Sequence, residues 1–280
     1  MSKISELAII EDGAVIGENV EIGPFCFVSS QTTIGDGTTI AQNSCIYGKT
    51  TIGKNNRIFS HAVIGSIPQD LKFNGEDVEL IIGDDNTIRE FTLFNPGTKG
   101  GGGKTIVGNH NLFMGYVHLG HDVIVGNHCI LANAASLAGH VEIGDHIVIG
   151  GFCPIHQFVK IGDYSMIGGA SALTQDIPPF CMAEGNRATL RGLNLNGLRR
   201  KLDREDINVL KSAYRELFES GKPLKDTATE ILENTENHFA KELCDFVLKT
   251  KRGIPFERKN QSWYIDTVAS VMQAKAMKTH

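Results

Sequence analysis

From Ile10 an aliphatic residue returns at every sixth position, through Ile16, Ile22, Val28, Ile34, Ile40, Ile46, Ile52, Ile58 and Ile64. After a gap the series resumes in phase at Ile82, Ile88 and Phe94. It returns one residue out of phase at Val107 and runs on through Phe113, Leu119, Val125, Leu131, Leu137, Ile143, Ile149, Ile155, Ile161, Ile167 and Leu173. A period of six fits no amphipathic α-helix, whose apolar stripe recurs about every 3.6 residues. It fits short extended segments separated by corners, with each aliphatic residue pointing inward. Hexapeptide repeats are a β-solenoid signature. Three hexads close one 18-residue coil, and coils stack at about 4.8 Å. The chain therefore holds about eight coils, in a prism on the order of 40 Å long at that spacing. The fifth hexad position is often small, as at Val20, Cys26, Thr32, Thr38 and Ser44. A second inward residue near a corner has to be.

Two stretches, near 66–80 and 95–105, interrupt the pattern. Insertions in a solenoid become loops on one face, often the binding face. The second contains "GTKGGGGKT", which resembles a phosphate-binding P-loop. Thr98 stands where that motif needs its first glycine and no helix pattern follows, so the stretch reads as a flexible loop. After Pro178 and Pro179 the pattern changes, and from about Asn194 it is helical. Asp203 is an N-cap, with Asp206 three residues on. Ile207, Leu210, Ala213, Tyr214 and Leu217 form one stripe, and Gly221 is the stop. Two more amphipathic segments lie near 223–234 and 237–250, and "WYIDTVASVMQAKAM" can form a further helix. The expected organisation is an all-β solenoid over 1–190 and an α-helical domain over 191–280.

Composition narrows the class. The net charge is −5, which gives no support to a general nucleic-acid role. No run approaches the roughly 18 apolar residues of a membrane span. The start, "MSKISELAII", lacks the pattern of a secretory signal. The six cysteines are scattered without a CxxC, so they read as reduced thiols in a cytoplasmic protein. Cys26, Cys129 and Cys153 fall at the small inward position and read as core.

The repeat also sorts the histidines. His110, His128 and His146 are 18 apart and each is fourth in its hexad, so they stack along one edge. They read as solvent-facing corner residues, with a metal ladder as the chemical alternative. His118, His121, His140 and His156 share no hexad position. Yet His121, His140 and His156 advance by about one coil each, which places them near one corner of successive coils. Asp122 follows His121. Histidine is the commonest general base, and a carboxylate can fix its tautomer and stabilise the imidazolium. Gly139 lies beside His140, where a backbone N–H can reach an oxyanion. From spacing alone, both a functional cluster and a set of satisfied corner histidines remain open.

The stretches "HLGHD", "CILANAASLAGHVEIGD", "IHQF", "GGASAL", "PPFCMAEGNRATLRGLN" and "IPQDLK" closely resemble the UDP-N-acetylglucosamine acyltransferases of lipid A biosynthesis. The resemblance covers nearly the whole chain; only the last twenty or so residues look like an extension. It implies a left-handed parallel β-helix and a homotrimer with active sites between neighbouring subunits. It also implies transfer of an (R)-3-hydroxyacyl chain from the phosphopantetheine of acyl carrier protein to the 3-hydroxyl of UDP-N-acetylglucosamine. By the same resemblance His121 is the general base, Asp122 orients it and the Gly139 N–H stabilises the oxyanion. Asp70 and Lys72 hold the sugar and its amide, and His118, His140, His156 and Gln157 line the cleft. Asn194, Arg200 and Lys201 meet the uridine diphosphate or the phosphopantetheine. The basic run Arg199, Arg200, Lys201 and Arg204 suits an acidic carrier protein. A residue in "GGASAL" ends the acyl groove; Gly169 there leaves room for a long chain, and Met166 nearby is the alternative that shortens it. No metal or cofactor is implied.

Two positions depart from the family pattern. Asn95 stands where the family usually has His, and Asn196 where it often has Glu. They raise an alternative acceptor, a 3-amino sugar nucleotide acylated to an amide. A more distant alternative is a zinc solenoid of the γ-carbonic-anhydrase type, with three histidines on the metal.

Overall fold

The computed structural model describes residues 2–257. Each hexad from Ile10 to Ile167 forms a short strand that ends on its inward residue, as in Val15–Ile16, Glu21–Ile22 and Phe27–Val28. Every third strand pairs in parallel, one coil above the other, so Lys3 lies beside Glu21 and Glu21 beside Thr39. Three sheets of eleven, eight and eight strands result. The inward side chains fill the prism, and Phe94 meets Phe113 edge to face at 5.0 Å. The fifth-position residues Val20, Cys26, Thr32, Thr38 and Ser44 are buried as their size requires. Burial pushes the Cys129 thiol up to about 12, which keeps it inert. Where Asn replaces a smaller residue at this position, the side chains satisfy one another. Asn86 Nδ2 donates to Asn56 Oδ1 at 3.0 Å, and Asn111 N–H to Asn86 Oδ1 at 2.9 Å.

The corners turn at the fourth hexad position, which takes the left-handed conformation: φ is 55° at Asn55, 57° at His128 and 64° at Phe158. For residues other than glycine this costs roughly 1–2 kcal/mol each. Side-chain stacking along the edges offsets part of it. The rings of His110, His128 and His146 stack at 4.8 Å, and Tyr164 continues the column at 4.7 Å.

Two elements go beyond the sequence reading. Lys3–Ile4 is one hexad earlier than Ile10. Cys181–Glu184 and Thr189–Leu193 form an antiparallel hairpin that extends the first sheet, where the hexad phase has already been lost. The chain then forms helices α1 (Leu195–Leu198), α2 (Arg204–Glu219), α3 (Leu224–Asn234) and α4 (His238–Lys249). The Asp203 side chain accepts the Asp206 N–H at 2.9 Å, and the expected stripe of α2 is buried together with Phe218. The helix expected in "WYIDTVASVMQAKAM" lies outside the described residues.

The two insertions leave from the same corner. One runs between strands Val63–Ile64 and Glu79–Ile82, the other between Leu93–Phe94 and Lys104–Val107. Both therefore rise between the second sheet and the third. Glu79 ties their roots, with Lys49 at 2.7 Å and Lys104 at 3.1 Å.

Candidate active site

His121, Asp122, Gly139, His140, His156 and Gln157 all fall at the corner from which the loops rise, on three successive coils. Asp122 and His140 occupy the left-handed fourth position, with φ of 59° and 61°. His121 Nδ1 lies 2.8 Å from Asp122 Oδ2. The Asp122 side chain is 1% exposed and that of His121 16%, so the imidazole alone reaches the surface. Asp122 Oδ1 accepts the Thr98 N–H at 2.9 Å, and Oδ2 accepts the Thr98 hydroxyl at 2.6 Å. The ring of His140 stands 4.9 Å from that of His121, nearly perpendicular, and stacks on Phe158 at 4.4 Å. Burial pulls the pKa of His140 down, against the pull of Asp122, and so favours the neutral ring near pH 7. His121, Asp122 and His140 place donor atoms within 4.8 Å of one another. Both carboxylate oxygens, however, already accept hydrogen bonds from Thr98 and His121.

Gly139 serves twice. A Cβ there would sit 2.5 Å from Cε1 and Nε2 of His121, so only glycine lets the ring lie where it does. Its N–H is also left over. At the corner between the third and first sheets, the third-position N–H of most coils is capped by an Asn or Asp of the next. Asn109 N–H donates to Asn127 at 2.8 Å, Asn127 to Asp145 at 2.7 Å and Asp145 to Asp163 at 2.9 Å. At the site corner the third positions are His121, Gly139 and Gln157, which supply no such acceptor. The Gly139 N–H has none among the described residues.

The remaining expected residues are spread out. Asp70 lies close enough to His140 to bear on its charge. Asp70 Oδ1 accepts the Lys72 N–H at 3.0 Å, and the Lys72 side chain is exposed. His118 is on the outer face of the second sheet, Nδ1 3.1 Å from the Leu93 carbonyl oxygen, and burial lowers its pKa. His156 and Gln157 are exposed. Asn194 is committed within the chain: Nδ2 donates to the Tyr164 carbonyl at 2.9 Å, and Oδ1 caps α1 from the Gly197 N–H at 3.2 Å. Lys201, whose charge bears on His146, belongs with the next corner, beside exposed Arg200. Gly169 is exposed at the remaining corner, where a Cβ would meet nothing nearer than the Gly151 carbonyl oxygen at 3.7 Å. Met166 is half-buried on the first sheet. On one chain most of the expected set thus divides among three edges of the prism, with His118 and Met166 on sheet faces.

Sequence reasoning missed Thr98, Thr105 and Phe158. The glycine-rich stretch contains a defined turn. Lys99–Gly101 is a 3₁₀ turn in which the Thr98 carbonyl accepts the N–H of Gly101 at 3.0 Å and of Gly103 at 2.8 Å. A Cβ on Gly101 would lie 2.1–2.4 Å from the Asp122 carboxylate. A polar residue followed by a glycine run was the only available signal. A cavity of about 410 Å³ opens here, lined by Gly100, Gly101, His140, Phe158, Asp176 and Arg252 among others.

A stacked hexapeptide solenoid with a buried-carboxylate histidine dyad at one corner and a helical extension defines a hexapeptide-repeat transferase. Comparison with known proteins gives the family. The profile described as UDP N-acetylglucosamine O-acyltransferase, domain 2, matches residues 176–255. The acyl-[acyl-carrier-protein]–UDP-N-acetylglucosamine O-acyltransferase of Sulfurimonas denitrificans is 79% identical over 93% of this chain and 100% of its own. That of Campylobacter concisus is 49% identical over 92% and 99%. Among solved structures, the UDP-N-acetylglucosamine acyltransferase from Campylobacter jejuni superposes with a TM-score of 0.88 at 48% identity, over 91% of this chain and 100% of that one. The Francisella novicida enzyme gives 0.89 at 35%, over 92% and 96%. The chain belongs to the UDP-N-acetylglucosamine O-acyltransferase family, and its solenoid is the left-handed parallel β-helix of those structures. This membership leaves no support for the γ-carbonic-anhydrase alternative. The relatives' names specify O-acylation, which does not favour the 3-amino acceptor suggested by Asn95. Asn95 is buried, and its Nδ2 donates to the carbonyls of Ser66 at 3.0 Å and Ile67 at 3.1 Å.

Proposed function

We propose that the protein transfers an (R)-3-hydroxyacyl chain from acyl carrier protein to the 3-hydroxyl of UDP-N-acetylglucosamine. The observation that carries this reading is the His121–Asp122 pair beside the unpaired Gly139 N–H. A thioester is already activated, so the enzyme has only to position the alcohol, take its proton and stabilise one oxyanion. Nδ1–H of His121 donates to Asp122 Oδ2, which leaves Nε2 to accept the proton of the sugar hydroxyl. The hydroxyl oxygen attacks the thioester carbonyl, and the Gly139 N–H meets the developing oxyanion. The tetrahedral intermediate expels the phosphopantetheine thiolate, which recovers the proton from His121. The balance is one ester gained, one thioester lost and no net proton, and the chemistry asks for no metal or cofactor.

The other site residues follow as part of this proposal. Asp70 and Lys72, on the first loop, hold the sugar and its amide, and His118, His140, His156 and Gln157 line the cleft. Arg200 and Lys201 meet the donor's or acceptor's phosphates, with Asn194 fixing the turn that presents them. Their distance from His121 on one chain supports a homotrimer in which neighbouring subunits share each site. No helix among the described residues is long and apolar enough to cross a membrane, in keeping with a cytoplasmic enzyme. The exposure of Gly169 supports a groove for a long acyl chain; a sharp preference near ten carbons in a carrier-protein series would sink that reading.

The acceptor is tested by offering the purified protein the hydroxyacyl carrier protein with UDP-N-acetylglucosamine or its 3-amino analogue. The expected product is the 3-O-ester. Strong preference for the amine, giving an amide, would overturn the hydroxyl assignment.

A further inference from the structure

We propose that Thr98 decides which of two histidines the Asp122 carboxylate serves, and is thereby a positioning residue for His121. The proposal rests on the reading of His121 as base. Asp122 stands between two imidazoles, with Nδ1 of His121 2.8 Å from its Oδ2 and Nδ1 of His140 3.8 Å from the same oxygen. The final side-chain torsion of an aspartate is broad and poorly fixed by itself. A modest rotation would move the carboxylate from one ring toward the other.

Thr98 removes that freedom. Its N–H holds Oδ1 at 2.9 Å and its hydroxyl holds Oδ2 at 2.6 Å, which sets the carboxylate plane at two points. Hydrogen bonds to an ionised acceptor are roughly twice as strong as neutral ones. The backbone of Asp122 is held as well, its N–H donating to Thr105 Oγ1 at 2.9 Å. Gly101 packs against the carboxylate so tightly that a Cβ would overlap it. Thr98 is itself fixed, 8% exposed, with its carbonyl bound by the glycine turn. The remaining lone-pair direction of Oδ2 points to His121. The second insertion is thus the back wall of the dyad. Both of its bonds at the site go to Asp122 and neither to His121, so Thr98 acts through Asp122.

Thr98→Val removes the hydroxyl and keeps the N–H and the shape. The expected result is a fall in kcat of about 10- to 100-fold, the scale of a misplaced catalytic group, with KM for the sugar nucleotide little changed. The downfield Nδ1-proton resonance of His121, assigned by its absence in His121→Ala, is expected to disappear. Thr98→Ser is expected to restore both. Gly101→Ala, which displaces the carboxylate while leaving the threonine in place, is expected to show the same two losses, so the proposal does not depend on one variant folding. If Thr98→Val keeps kcat and the resonance while His121→Ala is inactive, the positioning role falls and the base assignment stands. If His121→Ala itself turns over normally, the base assignment falls instead.

Discussion

A Cβ on Gly139 would lie 2.5 Å from Cε1 and Nε2 of His121, so the ring, held by Asp122, would have to shift. Gly139→Ala is therefore expected to tilt the imidazole away from its substrate-facing position and cost about 10²-fold in kcat. Steady-state assay of the alanine variant, with its melting temperature as control, checks this. The dyad was legible in the sequence because His121 and Asp122 are neighbours and the six-residue period placed Gly139 and His140 one coil on. The partners of Asp122 were not. Thr98 and Gly101 sit in an insertion with no period, so nothing in their spacing says which corner they return to. Asn194 was legible only as a residue: its carboxamide ties α1 to Tyr164.

At the scale of elements, the corners are where the repeat stores its strain. Asn55 is exposed with φ 55°, so Asn55→Val forces a β-branched residue into the left-handed region. The expected cost is on the order of 1–2 kcal/mol, seen in thermal or urea unfolding, whereas Asn55→Gly is expected to be near neutral. The period of six made the strands and inward faces readable, and cap plus stripe made α2 readable. The Cys181–Leu193 hairpin was not, because antiparallel pairing after two prolines leaves no periodic trace. Helix α4 meets the solenoid through a carboxyl. Burial, with the nearby charge of Asp163, pushes Glu242 up to about 7. The ordinary glutamate value is 4.5, so between there and about pH 7 the folded chain holds a proton that the unfolded chain has released. This contribution to stability is present at the acid end and declines as pH rises through that window. Glu242→Gln is expected to flatten this decline and to melt higher than the wild type at pH 8. An unchanged slope of melting temperature against pH would refute the assignment.

At the scale of the molecule, most of the expected site residues lie on three edges of one prism, and the proposed trimer would bring different edges together. If sites are shared, subunits carrying His121→Ala and subunits carrying Arg200→Ala, each inactive or impaired alone, are expected to recover measurable turnover when co-assembled. No recovery in mixed trimers would place each site within one chain. The period and the corner cluster were visible in the sequence, but the hand of the coil was not, since a six-residue period suits either hand and the usual crossover preference is right-handed. The central claim is that His121, backed by Asp122, is the base for acyl transfer. The most direct measurement is turnover of His121→Ala with hydroxyacyl carrier protein and UDP-N-acetylglucosamine. The account predicts near-complete loss in a protein that keeps its wild-type assembly and melting temperature; normal turnover would contradict it.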